Sequence, residues 1–438
     1  MIWKRTDYAG WGRACRASGE IARPERPSAL ARVATEAPCP AIGQRRSYAD
    51  ACLNSGGRVI STARLDRFLD FDASSGLLEV ESGAMLGDIL ACFAQRGWMP
   101  AVLPGTGFAT VGGAIAMDVH GKNHHAAGSF GQHVESLTLQ MPDGPEQVTP
   151  GDPLFAATTG GMGQTGPIAR ATLRMQPACG TAMRVSERRM PDLDSFLHHL
   201  DTSTTPYSVG WVDATARGAA LGRGILEEGE IVADTPHPSR RHHRIVMEAP
   251  RFLLSAPVVR GFNAAWYRRI PARGRSVTRP LADFFFPLDR LRDWNRLYGR
   301  RGFHQFQCVL PAHPATTRNA LRDMLALVSA AGLAAPLAVL KRMGPGHGGM
   351  MSFPMEGHTL AIDFPARDRA ADMIRRLNAL AAEAGGRVYL AKDGFATPEQ
   401  VAMMYPERAA WAEIVNARDP AHAYATDMVR RLSLRNRS

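Results

Sequence analysis

Residues Leu103–His125 read L-P-G-T-G-F-A-T-V-G-G-A-I-A-M-D-V-H-G-K-N-H-H. Glycine lets backbone N–H groups come close to phosphate oxygens, and successive amides form an anion-binding nest. Two stretches of the same character flank this one. They are A-I-G-Q-R-R-S-Y-A-D at Ala41–Asp50 and G-G-M-G-Q-T-G-P-I at Gly160–Ile168. Any one of them reads equally well as a tight turn without a ligand. Three in one domain, with strands between them, point to a bound dinucleotide. Neither a G-x-x-x-x-G-K-[ST] loop nor a strand–G-x-G-x-x-G–helix unit is present, which argues against nucleotide triphosphatase and Rossmann readings.

Outward from these loops, short apolar runs alternate with turn residues. Val59–Thr62 and Leu77–Glu81 read as strands. Leu86, Ile89, Leu90 and Phe93 share one helical face, and Gly97 follows as a stop. A strand is expected over Ala171–Met175. Beyond Met183 the glycines thin out. Helices are expected at Met190–Leu200, Leu288–Tyr298, Ala315–Ala331 and Arg367–Ala384, with strands at Gln305–Leu310, Ala338–Lys341 and His358–Phe364. The pattern is α+β, with a glycine-rich N-terminal domain followed by a mixed one.

The 438 residues are 45% hydrophobic and 21% charged, a globular balance. The longest charge-free stretch, 97–117, is broken by prolines and glycines and reads as loop and buried strand rather than a bilayer span. The N-terminal residues show no secretory pattern, and six scattered cysteines indicate neither a disulfide scaffold nor a zinc site. A cytoplasmic protein is expected. The net charge of +11 is local: between Ser239 and Arg279 ten arginines face one acid, Glu248. Phe252, Leu253, Leu254, Val258, Val259, Phe262, Trp266 and Tyr267 are interleaved with them. Such a mixture suits an anionic bilayer surface, and a solvated loop is the plainer alternative. No nucleic-acid module accompanies the patch, so no nucleic-acid partner is expected. Only four of the 52 basic residues are lysine, which singles out Lys122, Lys341 and Lys392 as places where a compact ammonium serves better than a planar fork.

Taken in order, G-x-x-R-S-Y-x-D from Gly43 and the long run ending H-G-K-N-H-H-x-x-G-S-F-G at Gly131 resemble the FAD-dependent oxidase subunits of decaprenylphosphoryl-β-D-ribose 2′-epimerases. The resemblance continues nearly end to end. It runs through F-P-L-D at Phe286–Asp289, W-N-R-x-Y-G at Trp294–Gly299, S-F-P at Ser352–Pro354 and I-D-F-P at Ile362–Pro365. Y-x-A-K-D at Tyr389–Asp393, M-Y-P at Met404–Pro406 and T-D-M-x-R-R-L at Thr426–Leu432 complete it. It implies a two-domain vanillyl-alcohol-oxidase-type FAD-binding fold with a mixed α+β substrate domain. The implied boundaries are 1–183 for the FAD domain, 184–386 for the substrate domain, with 240–279 as a basic loop, and 387–438 for a segment returning to the FAD domain.

The resemblance implies FAD binding through Gly43, Arg46, Ser47, Tyr48, Asp50, Gly105, Thr106, Thr110, Gly112, Gly113, Met117, His120, Gly121, Asn123 and Ile168. The first loop offers Ser47-Tyr48-Ala49-Asp50 and no histidine for covalent attachment, so non-covalent FAD is expected. Catalysis would fall to Lys392, His120 and Lys122. Trp211, Gln305, Gln307, Lys341, Tyr389, Phe285 and Ala361 would bind the substrate. Lys392 would sit beside the flavin, where a cation stabilises the reduced ring. On residue type alone, Lys392 reads as a surface partner of Asp393, Trp211 as core, and Gln305 and Gln307 as one face of a strand. The His120, His124 and His125 spacing lacks acidic or cysteine partners, and no metal is expected. Departures from the family pattern are Ile42 and Ala49 for arginine and glycine, Phe286 in place of histidine, Phe285 for tyrosine, Thr359 for asparagine and Ala361 for cysteine.

The implied activity is oxidation of the 2′-hydroxyl of a polyprenylphosphoryl-β-D-ribose to the 2′-keto intermediate, the first half of an epimerisation to the arabinose form used in cell-envelope glycan synthesis. An NAD(P)H-dependent short-chain reductase would complete the epimerisation, and the basic segment would dock the enzyme at an anionic membrane surface from the cytoplasmic side. The alternatives are a sugar, alditol or aldonolactone oxidase of the same flavin fold, or a basic membrane- or RNA-binding protein.

Overall fold

The computed structural model describes residues 3–234, 243–367 and 369–436. Its strands form three larger sheets that follow one another along the chain. The first contains β1 (Lys4–Ala9), β2 (Arg16–Ala22), β3 (Ala41–Ile42) and β4 (Arg58–Ser61) in the order β1-β2-β4-β3, with β2, β4 and β3 mutually parallel. The second contains β5 (Phe68–Asp72), β6 (Leu77–Glu81), β7 (Trp98–Pro100), β8 (Val134–Met141), β9 (Gly144–Val148) and β10 (Ile168–Pro177). It runs β5-β6-β10-β8-β9, all antiparallel, with β7 on the end of β10. The helix Leu86–Phe93 lays Leu86, Ile89, Leu90 and Phe93 onto this sheet beside Val80, Leu137 and Leu173. It ends in a 3-10 turn and Gly97, whose φ of 81° is the left-handed stop that the sequence foretold.

The remaining strands are β11 (Ala182–Met190), β12 (Tyr207–Val212), β13 (Gly224–Val232), β14 (His243–Arg244), β15 (Arg275–Pro280), β16 (Leu291–Arg292), β17 (Phe303–Pro311), β18 (Ala338–Met343), β19 (Gly357–Pro365) and β20 (Arg387–Val388). Eight of them make an antiparallel sheet in the order β15-β11-β13-β12-β18-β19-β17-β20, while β14 and β16 pair separately in parallel. Successive side chains of a strand face opposite ways. One face of this sheet carries Val212, Leu226, Phe306, Leu340, Leu360 and Ile362 into the largest core, against the helices Leu193–Thr202, Pro314–Ala331 and Ala370–Glu383. The other face is left for the site. The C-terminal residues return to the beginning of the chain: Asp427 accepts from the Ser55 amide at 3.0 Å, and Arg431 holds Asp50 at 2.7 Å.

Three expectations are corrected. Leu288–Tyr298 is not a helix: Leu291 and Arg292 are drawn off as β16, Asp293 takes a left-handed φ of 59°, and only a 3-10 turn over Trp294–Tyr298 follows. Met190 ends β11, and the helix starts at Leu193, where the Asp192 side chain accepts from the Ser195 amide. The basic stretch 240–279 is not a loop. It contains a 3-10 turn at Arg251–Leu254, the helix Ala256–Arg268 and the start of β15; residues 240–242 lie outside the described ones. Among the described residues, no helix is long and apolar enough to cross a membrane. All six cysteines are free.

Candidate active site

Five neighbouring strands of the third sheet build the floor of a cavity of about 480 Å³. Each contributes alternate residues from its uncovered face: Ile225 and Glu227, Val209 and Trp211, Val339 and Lys341, Thr359 and Ala361, Gln305 and Gln307. The register sets Ile225, Trp211, Val339, Ala361 and Gln307 opposite one another in a single row. The opposite walls are the three glycine-rich loops. The first is tied to the N-terminal strands by Trp11 N–H to the Ser47 carbonyl (2.7 Å), and to the segment after β20 by Tyr48 N–H to the Ala391 carbonyl (2.9 Å). The second is held by Asp289, which accepts from Thr106 Oγ1 at 2.9 Å and from the Gly107 amide at 2.7 Å.

Asp118 joins these walls to the third sheet. It is fully buried at a φ of 38° and accepts from Ser129 Oγ, the Gly131 amide, the Gly348 amide and Ser352 Oγ, all within 2.8 Å. Bonds to a charged group each stabilise by about 1.5–3 kcal/mol, so four on one carboxylate fix the loop entering His120 and Lys122.

The residues present fit a flavin dinucleotide. A Cβ on Gly105 or Gly163 would project into open space, so backbone there is bare to the cavity. At Gly43 a Cβ would strike the Thr110 hydroxyl, so the first two loops can approach only because it is absent. Ser82, Arg46 and His120 line the cavity, and their Oγ, Nε and Nδ1 atoms are buried without partners among the described residues. The Arg46 guanidinium lies between the Trp11 and Phe108 rings, at 4.1 and 4.4 Å, held in place for an anion.

The polar end gathers side chains from distant parts of the chain. Gln307 Nε2 donates to His120 Nε2 at 3.1 Å, leaving the Nδ1 side of that ring for another partner. His120 packs against Phe353 and Tyr389, both at 5.3 Å, and burial holds its pKa well below the usual range, with Lys341 adding to the effect. It is a neutral imidazole. Burial lowers Lys341 to about 7 and Lys122 to about 8. Both side chains line the cavity and are only half-buried, which tempers the penalty. Lys122 donates to the Phe284 carbonyl and lies 4.0 Å from the centre of that ring. Lys392 stands 3.2 Å above the Tyr48 ring. Burial lowers its pKa and the Asp363 carboxylate opposes the shift. Asp363, fully buried, accepts from Gln305 and from the Tyr298 hydroxyl.

A model of the FAD binding domain matches residues 22–149. The decaprenylphosphoryl-β-D-ribose oxidase of Mycolicibacterium smegmatis is 35% identical over 452 aligned residues, 97% of each chain. An uncharacterised protein in the mprA 5′ region of Streptomyces coelicolor is 33% identical over 77% of this chain and 96% of its own. A D-lactate dehydrogenase of Anaerostipes hadrus is 28% identical over 28% of each chain. The chain belongs to the decaprenylphosphoryl-β-D-ribose oxidase family. It is an FAD-dependent oxidoreductase of the vanillyl-alcohol-oxidase-type fold.

Most residues singled out in the sequence of this family member meet at the one cavity. Gly43, Arg46, Ser47, Tyr48, Gly105, Thr106, Thr110, Gly112, Gly113, Met117, His120, Gly121 and Ile168 line it, as do Lys122, Trp211, Gln305, Gln307, Lys341, Ala361, Tyr389 and Lys392. Three do not. Asp50 faces Arg431. Asn123 donates to the Ala101 carbonyl at 2.8 Å. Phe285 is buried in the core against Tyr207 and Phe284, because the run Phe284–Phe286 must fill several neighbouring sites and Phe286 is the one that meets Gly107. Lys392 is not a surface partner of Asp393, which pairs with Arg431 at 3.1 Å. Trp11, Glu227, Trp266, Arg269 and Leu288 also line the cavity and were not anticipated. The W-Y-R-R run at Trp266–Arg269 was the available signal, though it read only as part of a basic surface.

Proposed function

We propose that this oxidoreductase oxidises the 2′-hydroxyl of a polyprenylphosphoryl-β-D-ribose to the 2′-keto sugar, the first half of an epimerisation that a separate NAD(P)H-dependent short-chain reductase completes. The observation that carries it is a cavity with a polar end (His120, Gln305, Gln307) whose other lining includes Trp266, on a helix with an exposed apolar face. A sugar joined to a lipid through a phosphate needs both.

Bound flavin supplies the acceptor for the hydride leaving the carbinol carbon. The chain's residues do the rest. The glycine loops, Arg46 and Ser47 hold the pyrophosphate, non-covalently. Gln307, Trp211, Ala361 and Tyr389 shape the sugar site. Lys392 and Lys122 hold positive charge at the polar end of the cavity, and the hydroxyl proton leaves to the neutral imidazole of His120. In this reading the FAD domain is 1–183, the substrate domain 184–386, and 387–438 closes back on the first. The enzyme works at the inner face of a membrane, docked through the helix Ala256–Arg268.

The test is an anaerobic absorbance titration with a short-chain prenylphosphoryl ribose. Bleaching of the flavin band is the expected result, and acid precipitation should release the flavin into solution. Bleaching by free sugars or alditols alone would overturn the substrate and leave the oxidoreductase.

A further inference from the structure

We propose that the corner where Arg269 and Trp266 meet the cavity is a subsite for the phosphate ester of an amphiphile. Arg269 is its anion ligand, and the outer face of the helix Ala256–Arg268 is the start of the path for its hydrocarbon chain. This rests on the substrate class proposed above and assigns its phosphate to a residue.

The Arg269 guanidinium lies flat on the Trp266 indole, 3.9 Å from the ring centre. It approaches Glu187 at 3.6 Å and Glu227 at 3.9 Å, both beyond hydrogen-bonding distance. Its Nε is buried and has no partner among the described residues. The two carboxylates are already engaged: Glu187 takes Arg275 and, at 2.9 Å, Arg279, which also reaches Glu227 at 3.6 Å. Three guanidiniums therefore face two carboxylates, and Arg269 is the one of the three that makes no hydrogen bond to either. Burial lowers its pKa, the mark of a cation whose desolvation its neighbours do not fully offset. A phosphate oxygen is the missing acceptor, and the planar fork of arginine suits it.

Hydrocarbon begins one turn away. Trp266 (38% exposed), Phe262 (53%) and Val258 (42%) follow at four-residue spacing on the outer face, with Phe262 and Trp266 stacked at 5.9 Å. The inner face of the same helix is anchored by Val259 and Asn263. An arginine at the cavity and an apolar stripe leading away from it reproduce the junction between a phosphate and a prenyl chain. Lys122 is less suited to this task, since the Phe284 carbonyl and ring already hold its ammonium.

The test is calorimetric titration of the flavin-loaded protein with geranyl phosphate, geraniol and inorganic phosphate. Geranyl phosphate should bind at least tenfold more tightly than either of the others. Arg269→Gln should lose at least tenfold of that affinity, as expected for a charge-assisted bond, while affinity for geraniol changes less than twofold. Arg269→Lys should recover part of the loss. Flavin content and the thermal midpoint of both variants report folding. Unchanged geranyl phosphate affinity in Arg269→Gln would overturn the assignment, and inorganic phosphate binding as tightly as the ester would overturn its lipid half. Binding through Arg269 without flavin bleaching by prenylphosphoryl ribose would keep the subsite and discard the ribose. Bleaching with unchanged affinity in Arg269→Gln would do the reverse.

Discussion

At position 361 a single methyl group decides how the sugar end of the cavity reacts with electrophiles. Ala361 lies on the floor opposite Gln307 and Val339, where the family pattern has cysteine. Another thiol, Cys52, also borders the cavity, but burial pushes its pKa up to about 12 and leaves it a protonated, poor nucleophile. Cys308 sits on β17 facing the other way, into the core. Thiol-directed electrophiles that enter this site should therefore bind reversibly. Ala361→Cys should convert them to time-dependent inactivators, with one adduct per chain by intact mass spectrometry. Inactivation of the unsubstituted protein with a mass increment on a cysteine would overturn this reading.

Single elements carry the membrane question. In the helix Ala256–Arg268, removing the whole basic segment would also take away β15, which pairs along β11 from Arg275 to Pro280. Point changes are the cleaner probe. Val258→Ser with Phe262→Ser removes exposed apolar surface while leaving the Val259 and Asn263 anchors. Each side chain of this size contributes about 1.5–3 kcal/mol when fully buried. Partition onto anionic liposomes should fall by roughly tenfold or more, with flavin content unchanged. Equal sedimentation with liposomes would refute docking by this face. The same element marks how far sequence could be read. Glycine loops were legible because their backbone requirement is local, and β17, β18 and β19 because one face is apolar and the other is not. In β13, G-I-L-E-E-G-E-I-V, consecutive glutamates blur the alternation, since Glu227 faces the cavity and Glu228 accepts from Ser203 and Arg188 on the other face. Asp118 and Arg431 were illegible for a different reason: their partners lie up to 381 residues away, and only the closed fold brings them together.

For the whole molecule, placing three of its four lysines around one cavity sets ligand binding against stability. Unfolded lysine keeps its proton to about pH 10.4, whereas Lys341 gives it up at about 7 and Lys122 at about 8. Between pH 7 and 10 the unfolded chain thus holds more protons at these positions, and their contribution to stability rises with pH across that window. Below pH 7 both forms are charged, and the folded protein carries the full penalty. Lys341→Met should therefore raise the melting temperature of the flavin-loaded, substrate-free enzyme at pH 6.5 by about 1–3 °C, the low end because the side chain is only half-buried. The gain should fade by pH 9–10. Binding runs the other way. The protonated amines add longer-range attraction for an anionic substrate whose phosphate Arg269 holds, so KM should climb above pH 7–8 in the unsubstituted enzyme, and Lys341→Met should show a raised KM with a flatter pH profile. A melting temperature that falls at pH 6.5 would mean that the Lys341 charge is compensated in the empty site, and the opposition between stability and binding would then lie with Lys122 and Lys392 alone.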